Sequence, residues 1–221
     1  MSSRSGRNRP RPRSRGGNAP RVDLGPVPVS IALHAIPRKG VGSAGPLGGG
    51  EEGTGGILAD LDQRHRRYYR STWELHLGSL HLVVDGARQL DALESLWVFL
   101  LDLVDVGYGE WSLYDGRDTL VLEAQVFGPD IQLEFTGEAD APRFRGQRLP
   151  RKALVRLRSF VEQGARAVRS VMEQQCEVDG EFAGHAERAL FEEDLSEIES
   201  AVADLPLEFR QAKRHSSNAG N

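Results

Sequence analysis

The chain has 221 residues, a formal net charge of −4 and a single cysteine, Cys176. That length allows one domain with its own core plus an extension, while one cysteine excludes an intramolecular disulfide scaffold and suits a reducing compartment. No apolar run reaches the roughly 18 residues of a membrane span, and the N-terminal arginines have no hydrophobic segment behind them, so a cytoplasmic protein is expected.

Residues 1 to 56 hold 13 of the 25 glycines, 7 of the 11 prolines and none of the 15 aromatic residues. Such a composition cannot bury enough surface to offset its ordering entropy, and a disordered arm is expected there. The arm begins strongly basic, with Arg4, Arg7, Arg9, Arg11, Arg13 and Arg15 spaced among Ser, Pro and Gly and no acid between them. Only Val27, Val29, Ile31 and Leu33 alternate as a strand would, and Pro28 and Pro37 would confine that strand to a sheet edge.

From Ile57 the periods become readable, and a single α+β domain is expected over residues 57 to 205, with a frayed polar tail over 206 to 221. A short helix over 57 to 69 ends in Arg66, Arg67 and Tyr68. Then Trp73, Leu75 and Leu77 occupy odd positions and Leu80, Leu82 and Val84 even ones. A two-residue Gly78-Ser79 hairpin of type II′ explains the slip, because it pairs Leu77 with Leu80, Leu75 with Leu82 and Trp73 with Val84 on one face. Asp91 and Glu94 have the spacing of a capping box, opening a helix over 91 to 105 that is apolar nearly all round. A helix on a sheet needs only a stripe, so its second side must be covered by the later helices or by another copy of the chain.

The hairpin pattern recurs. Pairs of Trp111 with Leu122 and Leu113 with Leu120 follow from a turn at Gly116-Arg117, and Val126 with Ile131 from one at Gly128-Pro129. Pro150 suits the first turn of a helix running to about Gln174, with Leu154, Leu157, Val161, Val168 and Met172 as its stripe. A last helix over 186 to 203 carries Phe191, Leu195, Ile198 and Val202. The order predicts a mostly antiparallel five-stranded sheet, ββαβββ, with helices on one face and an acidic C-terminal helix.

Charge falls in blocks that the net value hides: residues 72 to 142 sum to −12, 143 to 172 to +8, and 173 to 209 to −11. The basic block comprises Arg143, Arg145, Arg148, Arg151, Lys152, Arg156, Arg158, Arg166 and Arg169 against the single Glu162. Arg151 and Lys152 in the first turn of a helix would oppose its dipole, which calls for a compensating anion. That anion is either the acidic helix of the same chain or an external one. Arg156, Arg158 and Arg166 fall off the apolar stripe and are expected to be exposed.

His76 and His81 face each other across the first hairpin with Glu74 on the same face, a set able to hold zinc with water in the open position. The spacing matches no metal motif and exposed cross-strand histidines are common, so neither metal nor cofactor is assigned. Cys176 and His185, nine residues apart, make no convincing thiol–base pair. No catalytic or phosphate-binding signature is present.

The expectation is therefore a non-enzymatic cytoplasmic protein that binds another protein through its charged surfaces. Its compact acidic α+β plan looks like that of immunity or antitoxin proteins by fold analogy alone. The alternative is a nucleic-acid-associated protein using the basic arm, the Arg66, Arg67 and Tyr68 cluster and the basic block. An enzyme with a site on the polar sheet face is a third class.

Overall fold

The computed structural model describes residues 25–39, 56–86, 89–114, 119–136, 143–144 and 147–206. The arginines of the basic arm, Arg145, the turn at 115–118 and the tail from residue 207 lie outside the described residues. The elements run β1 (Val29–Pro37), α1 (Gly56–Tyr68), β2 (Tyr69–Leu77), β3 (Leu80–Gly86), α2 (Gln89–Asp105), β4 (Tyr108–Tyr114), β5 (Thr119–Phe127) and β6 (Asp130–Thr136). They continue as β7 (Arg143–Phe144), β8 (Gln147–Arg148), β9 (Lys152–Arg156), α3 (Leu157–Val178), α4 (Gly180–Ala183) and α5 (Arg188–Ala201).

The α+β class and the antiparallel pairing are as expected, but the single five-stranded sheet is not. The strands form a three-stranded sheet, β1-β2-β3, a four-stranded sheet, β4-β5-β6-β9, and the small β7-β8 hairpin. The reason lies in α2, which carries the chain from β3 to β4 across the core instead of laying the two strands side by side. Two strands outside the expected five take the free edges: β1, the edge strand that the alternation from Val27 offered, pairs with β2, and β9, which was expected to be helix, pairs with β6. The apolar faces of both sheets turn to one core, where Trp73 of β2 meets Trp111 of β4 edge to face at 6.0 Å between ring centroids.

Within each hairpin the alternation set the register as expected. Trp73 faces Val84, Leu75 faces Leu82 and Leu77 faces Leu80, all but Leu80 fully in the core. Trp111 likewise faces Leu122, and Val126 faces Ile131. The first turn favours glycine by its backbone angle and has little room beside it. Gly78 has φ +60°, and a Cβ there would stand 3.2 Å from the Val27 side chain. Residues 27 and 28 are held in place on both sides, since Val27 N–H donates to the Leu154 carbonyl (2.7 Å) and Gly78 N–H to that of Pro28 (2.8 Å). Ile31 and Leu33 of β1 are buried, so the fold draws on chain from within residues 1 to 56.

Two helix starts differ from expectation. The first helix after the hairpin begins at Gln89, which puts Asp91 inside it rather than at its cap. Its apolar second side is covered within the chain, by α1, α3 and α5; Trp97 packs on Phe191 of α5 at 4.6 Å. The helix expected from Pro150 begins only at Leu157, because Lys152–Arg156 is a strand with Val155 opposite Ile131. Proline is tolerated in a first turn but does not impose one, and Leu154 with Leu157 fits either period. The Leu157 N–H is met by the Pro129 carbonyl (3.0 Å), which ties the helix start to the β5–β6 turn.

From there α3 runs through the core. Leu157, Val161, Val168 and Met172 are buried as expected, together with Phe160, Gly164 and Val171. At Gly164 a Cβ would meet Leu100 of α2 at 2.9 Å, so glycine is what lets the two helices approach. Phe191, Leu195, Ile198 and Val202 seat the last helix as its spacing predicts. No helix among the described residues is long and apolar enough to cross a membrane.

Candidate functional site

Four cations of the basic block, Lys152, Arg156, Arg158 and Arg169, meet carboxylates of the same chain. Asp130 and Arg156 are register partners on β6 and β9, and the guanidinium reaches the carboxylate at 2.7 Å. On the same pair of strands Lys152 lies 3.0 Å from Glu134. With Arg151 and Lys152 ahead of α3 rather than in its first turn, the dipole argument for an external anion falls away. Arg158 bonds Glu162 one turn on (2.6 Å) and donates to the carbonyls of Ala203 and Leu205 beyond α5. Arg169 lies between Glu192 (3.0 Å) and Glu199 (2.8 Å) of α5. Burial works against the Arg169 charge, but hydrogen bonds to Glu199 and Glu192 outweigh it and raise its pKa. Of the three arginines expected to be exposed, Arg156 and Arg158 are therefore engaged. Arg166 alone is exposed, on the rim of an open groove between α3 and α5 that Glu162, Ser196 and Glu199 also line. Arg143 and Arg148 end the two-residue strands β7 and β8.

The Arg66, Arg67 and Tyr68 cluster is split, with Tyr68 buried, Arg66 partly exposed and Arg67 exposed. Arg66 is 2.6 Å from the buried Asp62, and Tyr68 is itself buried, so its ring is no stacking platform for a base. The Arg67 guanidinium covers that ring at 5.7 Å.

A second polar network, which no sequence signal announced, joins α1 to the end of α3. Arg64 bonds Asp179 at 2.7 Å and lies 3.6 Å from Asp60. Asp179 is 5 % exposed and also caps α4 by accepting from the N–H groups of Glu181 and Phe182. Burial pushes its carboxyl up, but Arg64 and the two N–H groups outweigh this and hold it below the usual range. Nearby, Glu187 accepts from the Ile57 N–H (2.9 Å) and so closes the first turn of α1.

His65 is the one fully buried imidazole among the described residues. Its Nε2 is 2.7 Å from Ser71 Oγ, its Nδ1 finds no hydrogen-bond partner, and burial lowers its pKa to about 4. A serine–histidine contact suggests a nucleophile, yet His65 is wholly enclosed and Ser71 is 5 % exposed, so a substrate has no approach to the hydroxyl. The pair ties the end of α1 to β2. Cys176 packs against the core, and His185 lies 3.6 Å from Asp60.

The outer face of the β1-β2-β3 sheet gathers the remaining described histidines. The expected trio is present: ligand atoms of Glu74, His76 and His81 all lie within 4.8 Å of one another. The rings of His76 and His81, opposite each other in register, stack at 4.0 Å. The structure adds a residue that the sequence reading missed. His34 on β1 brings its Nε2 within 3.3 Å of Glu74 Oε2, the same oxygen that His76 approaches at 3.3 Å and His81 at 3.5 Å. Its only sequence signal was an outward position in the 27–36 alternation, meaningless until β1 pairs with β2. The hydrogen bond from His76 and the charges of His34 and His81 lower the pKa of Glu74.

Comparison of the chain with protein-family models, curated proteins and solved structures finds no match.

Proposed function

We propose that this chain is a non-enzymatic cytoplasmic protein that binds a basic partner protein through the outer face of α5. One observation supports this reading above the others: α5 divides its acids. Glu192 and Glu199 face Arg169, whereas Glu193, Asp194 and Glu197 are exposed and pair with no cation among the described residues. An exposed strip of one sign steers and orients a partner of the other sign, which gives specificity and a fast encounter. The nucleic-acid alternative has less support, because Arg156, Arg158, Arg169, Arg66 and Tyr68 already have partners within the fold; what it keeps is the N-terminal arm, the exposed Arg67 and Arg166, and Arg143, Arg145 and Arg148.

The test is co-purification from the native cells with and without nuclease, comparing wild type with the Glu193→Gln, Asp194→Asn, Glu197→Gln triple variant. A protein partner that survives nuclease and is lost with the variant is expected. Nucleic acid lost on digestion, or a partner that the variant retains, would overturn the reading.

A further inference from the structure

We propose that the segment 207–221 of this chain lies back along the outer face of α5 and competes there with the basic partner, an inference that rests on that face being the partner's docking surface. The surface is a whole unpartnered helix face and not a cluster of acids alone. Leu190, Glu193, Asp194 and Glu197 follow the i, i+3, i+4, i+7 spacing of one side of a helix. All four are exposed, Leu190 by 62 %, and the three acids pair with no cation among the described residues.

The occupant follows from charge and from where the chain leaves the helix. Beyond the described residues the sequence carries Arg210, Lys213 and Arg214, with no acid after Glu208. The exit is pinned at the end of α5: Arg158 donates to the carbonyls of Ala203 and Leu205, and Leu205 packs against the core. Reach agrees. At a helical rise Glu197 lies about 14 Å back from Pro206 and Glu193 about 20 Å. Four extended residues carry Arg210 about 14 Å from Pro206, and seven carry Lys213 about 24 Å. Arg210 thus meets Glu197, and Lys213 and Arg214 meet Glu193 and Asp194. The arginine arm is basic too, but it joins the described fold where Val27 bonds Leu154 of β9, and not on α5.

Tethering makes a weak contact count. Exposed ion pairs are individually weak, but a segment joined to its site by a few residues is present at an effective concentration on the order of millimolar. The segment acts as a tethered stand-in for the basic partner and lowers that partner's affinity, and salt loosens it because exposed pairs are screened.

The experiment takes two readouts from the full chain. Zero-length carbodiimide coupling at low salt joins an amine to a carboxylate in direct contact, and Lys213 is the one lysine of the segment. In the monomer fraction Lys213 should couple to Glu193, Asp194 or Glu197, with the Lys152 to Glu134 link, 3.0 Å apart, as internal control. Coupling of Lys213 only to Asp204 or Glu208, coupling to the strip only in cross-linked dimers, or coupling of the Met1 amine to the strip in its place would overturn the proposal. The second readout is binding of a fluorescein-labelled octa-arginine peptide. The Arg210→Gln, Lys213→Gln, Arg214→Gln variant should bind this probe at least about threefold more tightly than wild type. The Lys39→Gln, Arg67→Gln, Arg70→Gln variant makes the same change of net charge at exposed positions and should gain less. Equal affinity of wild type and the 210, 213 and 214 variant overturns the tethered contact while the docking reading stands. A probe that the Glu193, Asp194 and Glu197 triple variant binds as tightly as wild type overturns the docking reading itself.

Discussion

Along the inner side of α5 and the C-terminal half of α3, charge is paired: Arg169 lies, partly buried, between Glu192 and Glu199, and Arg64 against the buried Asp179. On the outer side of the same α5, Glu193, Asp194 and Glu197 stand in water. The two regions draw on acids of one helix with opposite consequences. Enclosed charges fix how helices sit, because removing one partner strands the other in a poor solvent. Charges on the outer strip contribute little to the fold and remain available to another molecule. A net charge or a block sum cannot separate these roles; the partner of each side chain does.

Four expected outcomes break or sharpen that contrast. The largest belongs to Asp179→Ala, which strands Arg64 and removes the α4 cap, and should cost about 3–4 kcal/mol of unfolding free energy in urea. Next is the pH dependence due to His65. Its folded pKa of about 4 lies below the unfolded value, so the unfolded chain binds the extra proton between the two. Stability is full above about pH 6.5 and falls as the pH drops toward 4, by roughly 3 kcal/mol in total. A His65→Gln chain that still folds should lose that slope. Carboxylates held low, such as Asp179, add their losses only at lower pH. Third, Arg169→Met should cost about 1–2 kcal/mol, less than the Asp179 change because its site is only partly buried. The smallest effect is for the Glu193, Asp194 and Glu197 triple variant, expected within about 0.5 kcal/mol of wild type in the same denaturation.

The parts of this fold legible in the sequence are those decided by neighbours along the chain. Both hairpin registers follow from apolar alternation and a turn: the pairs Leu75 with Leu82 and Trp111 with Leu122 need only a few residues of context. The stripe of α5 was equally plain. What failed needed a distant partner. Val29–Pro37 reads as an isolated edge until it meets β2 across α1, and with it went His34. Lys152–Arg156 reads as helix until Ile131 and Leu133 of β6 supply its ladder. The division into two sheets depends on where α2 travels, which its own apolar girth does not specify. For the charged surfaces the acidic helix was correctly named as a candidate counterion, but which acids turn inward depended on how α5 is rotated against α3.

The central claim is that Arg158 and Arg169 of α3 are engaged inside the fold, and a double-mutant cycle in equilibrium unfolding with Arg169→Met and Glu199→Gln tests it most directly. The structure predicts a favourable coupling of about 1 kcal/mol between the two positions. Additive effects, with coupling indistinguishable from zero, would contradict it.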